Sequence, residues 1–153
     1  MLAAHGELFR FCRALIAFRR AHPAVRHGSF AGDASGGREP LELTWHGTRP
    51  CQPDWSSGSR VLAWERRLRS PAGDDAVYAA FNMYWRPLSV ALPPPPTGQA
   101  WRLFANTAAA SPADVCWPGE ECTLPTSLPL VVEGRSAVVL VLSPPAADGQ
   151  RPA

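Results

Sequence analysis

The sequence predicts a mainly β fold, an antiparallel β-sandwich preceded by one α-helix. Three observations lead there. The 153 residues include 17 prolines and 12 glycines, too many for a mostly helical chain and suited to short strands joined by turns. Hydrophobic residues make up 46% and charged residues 18%, which supports a packed core and argues against disorder. One stretch near the start has a helical apolar period, and the apolar runs after it are short, several of them alternating.

Glu7 to Arg20 contains neither Gly nor Pro. Leu8, Phe11, Cys12 and Leu15 recur at i, i+3, i+4 and i+7, the spacing of one helix face. Phe9, Ile16 and Phe18 widen the arc to roughly half the circumference at about 100° per residue, with Arg10, Arg13 and Arg20 expected on the other side. Arg19 and Arg20 suit the C-terminal end of the helix dipole, and Pro23 stops the helix. So broad an arc predicts a helix set against something larger than a small sheet, or buried deeply in its own domain.

Phe30 to Pro40 reads as a loop. Strand signals follow. Leu41, Leu43 and Trp45 alternate with polar residues. Val61 to Leu68 is a second run, and Ala76 to Phe81 is apolar almost throughout, as in a strand buried on both faces. Leu88, Val90 and Leu92 alternate before Pro93 to Pro96, expected to be an exposed polyproline connection. Trp101 to Phe104 is a short strand, and Ala137 to Leu142 (AVVLVL) is the strongest strand signal in the chain. The segment from Asn106 to Leu130 holds Pro112, Pro118, Pro125 and Pro129. A loop of that length is usually functional, disordered or a partner contact.

The length fits one domain with at most an appendage. All 15 basic residues are arginine, set against 13 carboxylates for a net charge of +2, so neither nucleic acid nor an anionic membrane is expected as a partner. No apolar run reaches the roughly 18 residues of a membrane span, and the start lacks the pattern of a signal peptide. Cys12, Cys51, Cys116 and Cys122 form no CxxC. They read as free thiols in a cytoplasmic protein.

Candidate chemistry is sparse. His5, His22, His27 and His46 form no metal-binding spacing, so neither metal nor cofactor is expected. Asp74–Asp75 reads as a hairpin turn and Glu120–Glu121 as a solvated loop. Adjacent acids do not face each other across a glycosidic bond. There is no GxSxG, Walker loop or GxGxxG. The six tryptophans are Trp45, Trp55, Trp64, Trp85, Trp101 and Trp117. Three stand beside loop-type residues, in Trp45-His46-Gly47, Asp54-Trp55-Ser56 and Trp85-Arg86-Pro87. Exposed indoles beside polar groups suit the C–H faces of sugar rings; the alternative is that they cap a small core.

Four blocks occur in order: LIAFRRAHPAVR, LTWHGTRPCQPDWSSGSRVLAW, VYAAFNMYWRPLSVALP and WRLFANTAAASPAD. Together they resemble the carboxyl-terminal part of isoamylase-type glycogen debranching enzymes of the α-amylase superfamily, from about Leu8 to Leu142. The resemblance implies an antiparallel sandwich that follows a catalytic (β/α)₈ barrel, with residues 1–30 as the last barrel-type helix and linker, 31–146 as the sandwich and 147–153 as a frayed tail. It implies a parent enzyme that hydrolyses α-1,6-glucosidic branches with retention. The family's catalytic carboxylates lie on barrel strands to which nothing in this chain corresponds, so no catalytic residue is carried over and no hydrolysis is expected of the chain alone. The expected partners are that barrel and a glycogen-like α-glucan. Trp45, His46, Asp54, Trp55 and Trp85 are the candidate glucan contacts, and Leu8, Phe11, Leu15 and Phe18 the helix residues expected to lose cover without the barrel. The rival expectation is a stand-alone glucan-binding module.

Overall fold

The computed structural model describes residues 5–26, 28, 41–70, 73–124 and 129–143. The expected loop at 30–40 and the expected tail at 147–153 lie outside them. The chain begins with α1 (Gly6–Ala21) and the one-turn α2 (Pro23–Arg26). Pro23 ends the first helix and opens the second, where its fixed φ and missing N–H cost nothing. Eight strands follow: β1 (Leu41–His46), β2 (Val61–Leu68), β3 (Asp75–Asn82), β4 (Leu88–Val90), β5 (Ala100–Asn106), β6 (Cys122–Thr123), β7 (Leu130–Val132) and β8 (Ser136–Ser143).

Six of them form one sheet in the order β1-β2-β3-β8-β5-β6, and β4 pairs with β7 in a second, small sheet. Every pairing is antiparallel. The mainly β, antiparallel sandwich expected from the sequence is therefore present, with layers of unequal size. β3 and β8 lie at the centre, and Ala76 through Ala80 are buried without a break.

One face of the central pair carries Tyr78, Ala80, Val138 and Leu140, covered by Val90 of β4 and Val132 of β7. The opposite face carries Val77 and Val141, covered with Phe104 by Ala14 and Phe18 of α1. Phe18 stacks on Phe104 with ring centres 4.0 Å apart. Burial of such a side chain is worth about 1.5–3 kcal/mol, and an aromatic pair adds roughly 0.5–1.5 kcal/mol.

The buried stripe of α1 is Phe11, Ala14 and Phe18, not the expected set of Leu8, Phe11, Cys12 and Leu15. Leu8, Cys12 and Leu15 point outward, as do Phe9 and Ile16. A small residue, Ala14, lets the helix backbone approach the sheet, and that choice sets the rotation of the whole helix. Arg10 is likewise not on a solvated face. Its guanidinium donates to the Asp114 carboxylate, to Ser111 Oγ at 3.2 Å and to the Val115 carbonyl at 3.3 Å. α1 is thus tied to the loop after β5 as well as packed on the sheet.

Three further expectations are corrected. Pro93 is buried rather than exposed, because the Trp101 indole N–H donates to its carbonyl at 2.8 Å inside the core. Asp75 is not a free turn residue: its carboxylate meets His22 Nδ1 at 2.8 Å and accepts the Ala24 N–H at 2.8 Å, fixing α2 to the start of β3. Glu121 is buried and accepts the Gly119 N–H at 2.9 Å.

Candidate functional site

Antiparallel pairing brings the end of β1, the start of β2, the end of β3 and the start of β8 to one end of the large sheet. The connections 47–60, 83–87 and 133–135 gather there, and they carry most of the sequence-selected aromatics. Trp45 is 37% exposed and Trp55 66% exposed, their ring centres 5.6 Å apart at a near-perpendicular 73°. Edge-to-face contact of this kind fixes two indoles relative to each other while leaving ring surface open.

The support beneath this pair begins at His46. It is buried, and its Nδ1 accepts the Cys51 N–H at 2.8 Å. An accepting Nδ1 places the proton of the neutral ring on Nε2. Gly47 follows, and a Cβ there would stand 2.4 Å from the Gln52 carbonyl oxygen. Only glycine lets the two arms of the 47–52 turn close so tightly. Asp54 is exposed, and its Oδ1 accepts the Ser56 N–H at 2.9 Å. That bond and one from the Ser56 hydroxyl hold its pKa below the usual carboxylate value. The Asp54–Ser56 turn therefore presents Trp55, while His46 anchors the base of the loop.

Trp85 is 58% exposed, at the same end of the sheet but in the connection after β3, two strands from β1. Its own partners are the Arg86 guanidinium, 4.2 Å from the ring centre, and the Tyr84 ring at 5.4 Å. The connection is pinned by fully buried Asn82. Its amide nitrogen donates to the carbonyls of Arg86, Val132 and Glu133 at 2.8–3.0 Å, and its Oδ1 accepts the Tyr84 N–H at 2.9 Å. A Cβ on Gly134 would stand 2.6 Å from the Trp85 backbone, so this connection too relies on close approach. An open cleft of about 310 Å³ lies beside it, lined by residues that include Phe81, Met83, Thr107 and Arg135.

The five candidates therefore divide. Trp45 and Trp55 form one exposed pair, Trp85 a second platform, Asp54 shapes the Trp55 turn, and His46 faces inward. Sequence reasoning missed Asn82, although an Asn ending an apolar strand is a recognisable polar anchor. Trp101, by contrast, is a core residue. Among the described residues no cluster of three or more His, Cys, Asp or Glu could hold a metal, and no helix is long and apolar enough to cross a membrane.

Below the Trp45–Trp55 pair, the His46 ring lies 5.6 Å from that of Tyr78. Glu65, chelated through one oxygen by Arg67 at 2.7 and 2.9 Å, is near both. Burial lowers the His46 pKa below 6.5, and Glu65 only partly offsets this. Burial also pushes the Tyr78 phenol well up, with Glu65 adding to it.

The assembly is an antiparallel β-sandwich with a helix on its outer face and exposed indoles at one end, Trp45 in β1 and Trp55 and Trp85 in the connections. The model of the family described as "Isoamylase 1-3, C-terminal" matches residues 44–128, and the chain belongs to that family. It is 34% identical over 115 residues to "Isoamylase 1, chloroplastic" of Arabidopsis thaliana, a match covering 75% of this chain and 13% of the relative. It is 30% identical to "Isoamylase SU1, chloroplastic" of Zea mays over 74% of this chain and 13% of the relative. It is 33% identical to "Isoamylase" of Flavobacterium sp over 72% of this chain and 15% of the relative. The matched region thus spans about an eighth of the length of the curated relatives.

The buried imidazole makes stability depend on pH. The unfolded chain takes up a proton on His46 near pH 6.5, the folded chain only at lower pH. His46 therefore contributes stability above about pH 6.5 that is lost as pH falls toward its folded pKa. His46→Asn, whose carbonyl can accept the Cys51 N–H, removes this titration. Urea unfolding of both proteins from pH 7.5 to 5 is expected to show a steeper loss for the wild type. Parallel curves would show that His46 does not titrate differently on folding.

Proposed function

We propose that this chain serves as the carboxyl-terminal sandwich of a debranching enzyme that hydrolyses α-1,6-glucosidic branches of a glycogen-like glucan. In this reading residues 1–30 supply the last barrel-type helix, 31–146 the sandwich and 147–153 a tail. The catalytic barrel is supplied upstream in the same polypeptide or by a separate chain. The role of the domain is to cover the barrel and to form one wall of the glucan cleft; the chemistry belongs to barrel carboxylates. A cytoplasmic setting is part of the proposal, although the plant relatives are named as chloroplastic.

One observation carries the reading beyond family membership. α1 packs its Phe11–Ala14–Phe18 stripe on the sheet and turns Leu8 (63% exposed), Phe9 (51%) and Ile16 (54%) outward. Leu43 and Trp45 of edge strand β1 are exposed too, and their cross-strand partner positions place them on the helix side of the sheet. Exposed apolar side chains gathered on one side of a domain mark a contact site. A catalytic barrel on the helix side would cover this surface and bring the Trp45–Trp55 pair to the domain boundary.

The chain produced alone is expected to self-associate in sedimentation velocity and to cleave no branches of amylopectin. Leu8→Ser with Ile16→Ser is expected to yield a monomer with an unchanged far-ultraviolet circular dichroism spectrum. A wild-type chain that is monomeric at high concentration, or one that debranches amylopectin, would overturn the proposal.

A second reading rests on the exposed Trp45–Trp55 contact: a stand-alone glucan-binding module. It predicts saturable quenching of tryptophan fluorescence by glycogen, abolished in Trp55→Ala. A folded chain whose emission does not respond to glycogen would exclude this reading and leave the packing role intact.

A further inference from the structure

The segment 115–123 carries a pair of thiols that the proposed function does not use. It runs along the edge of β5 opposite to β8. Val115 bridges to Ala105, the Cys116 N–H donates to the Phe104 carbonyl at 2.8 Å, and Cys122 stands opposite Leu103. Between the two cysteines the chain leaves this edge and returns. The excursion is compact: the Glu120 N–H donates to the Trp117 carbonyl at 2.9 Å, and Gly119 turns with φ +90°. Cys116 and Cys122 are therefore the two ends of one short excursion, held by successive residues of β5. Their sulfur atoms lie 4.0 Å apart, with Cys122 exposed and Cys116 half-buried.

We propose that Cys116 and Cys122 are a disulfide-forming pair, oxidised by exchange with a small-molecule disulfide such as oxidised glutathione. A disulfide needs the sulfurs about 2.05 Å apart. Side-chain rotation from a contact of 4.0 Å can bring them together while the backbone stays on β5. The exposed Cys122 thiolate attacks the glutathione disulfide, forms a mixed disulfide and releases one glutathione thiolate. Cys116 then gives its proton to solvent and attacks Cys122 Sγ, releasing the second glutathione. Two protein thiols are oxidised and one glutathione disulfide is reduced to two glutathione thiols. Burial, the Cys122 sulfur and Glu121 push the Cys116 thiol up, which suits the second, intramolecular step, where a neighbouring disulfide compensates for a low thiolate fraction.

The crosslink would close the base of a loop that touches α1. The Arg13 guanidinium lies 5.7 Å from the centre of the Trp117 ring, and Arg10 donates to the carbonyl of Val115, immediately before Cys116. Oxidation would therefore stiffen the loop on which the helix is anchored.

Tryptic mass mapping tests this on the full chain. The peptide 103–135 contains Cys116 and Cys122 and no other cysteine. The reduced chain is equilibrated with oxidised glutathione, quenched with acid, alkylated with iodoacetamide and digested. The expected product is this peptide lighter by two hydrogens and free of alkyl groups. In Cys122→Ser the same peptide carries no internal crosslink. A chain with native near-ultraviolet circular dichroism in which both cysteines are alkylated, carry separate glutathiones, or are joined to Cys12 or Cys51 would overturn the proposal.

Discussion

A strand pair that is apolar on both faces must be covered twice, and the rest of this structure follows from that constraint. β3 and β8 present Val77 and Val141 to one side and Tyr78 and Leu140 to the other, all buried. The small β4–β7 sheet covers one side and α1 the other. Without the helix, Val77, Phe104 and Val141 would face water, an exposure costing about 1.5–3 kcal/mol per large side chain. α1 is thus a layer of the sandwich rather than an appendage to it. Two of its four arginines extend the attachment, Arg10 to the 111–115 loop and Arg13 toward Trp117.

The same helix has a second apolar side. Phe11, Ala14 and Phe18 satisfy the sheet, while Leu8, Phe9 and Ile16 stay more than half exposed. A helix apolar over about half its circumference, with only part of that arc covered by its own sheet, is the pattern of an element that sits between layers. In the proposed function that further layer is the catalytic barrel, and Trp45 at the end of β1 with Trp55 in the following loop would carry the glucan contact. The His46 anchor, the close turn at Gly47 and the Asp54–Ser56 bond hold those indoles in place.

Much of this was legible in the residues. The apolar run Ala76–Phe81 and the AVVLVL run identified the central pair, because period-two burial fails only where both faces are covered. The alternation at Leu41–Trp45 marked a strand, though not its place at the sheet's edge, and the clean helical stretch marked α1. The rotation of α1 was not legible: Leu8 and Leu15 are better apolar residues than Ala14, and the fit to Phe104 selects the smaller one. Pro93 was misread because its burial depends on the Trp101 indole finding an acceptor. Asp75 and Arg10 were misread because their partners lie 51–53 and 101–105 residues away. Within the site, composition singled out the tryptophans. Which of them touch depends on the 47–60 loop, whose course is set by the His46–Cys51 bond, the close approach at Gly47 and the Asp54–Ser56 bond acting together.

Amide hydrogen exchange of the isolated chain, read over α1 beside β3 and β8, tests most directly whether the helix is a layer of this sandwich. The account predicts that amides from Phe11 to Phe18 are protected to nearly the degree of the central strands, since helix and strands share one core. Exchange of α1 at the rate of an unstructured peptide, with β3 and β8 still protected, would contradict it and make the helix dependent on a partner for its docking.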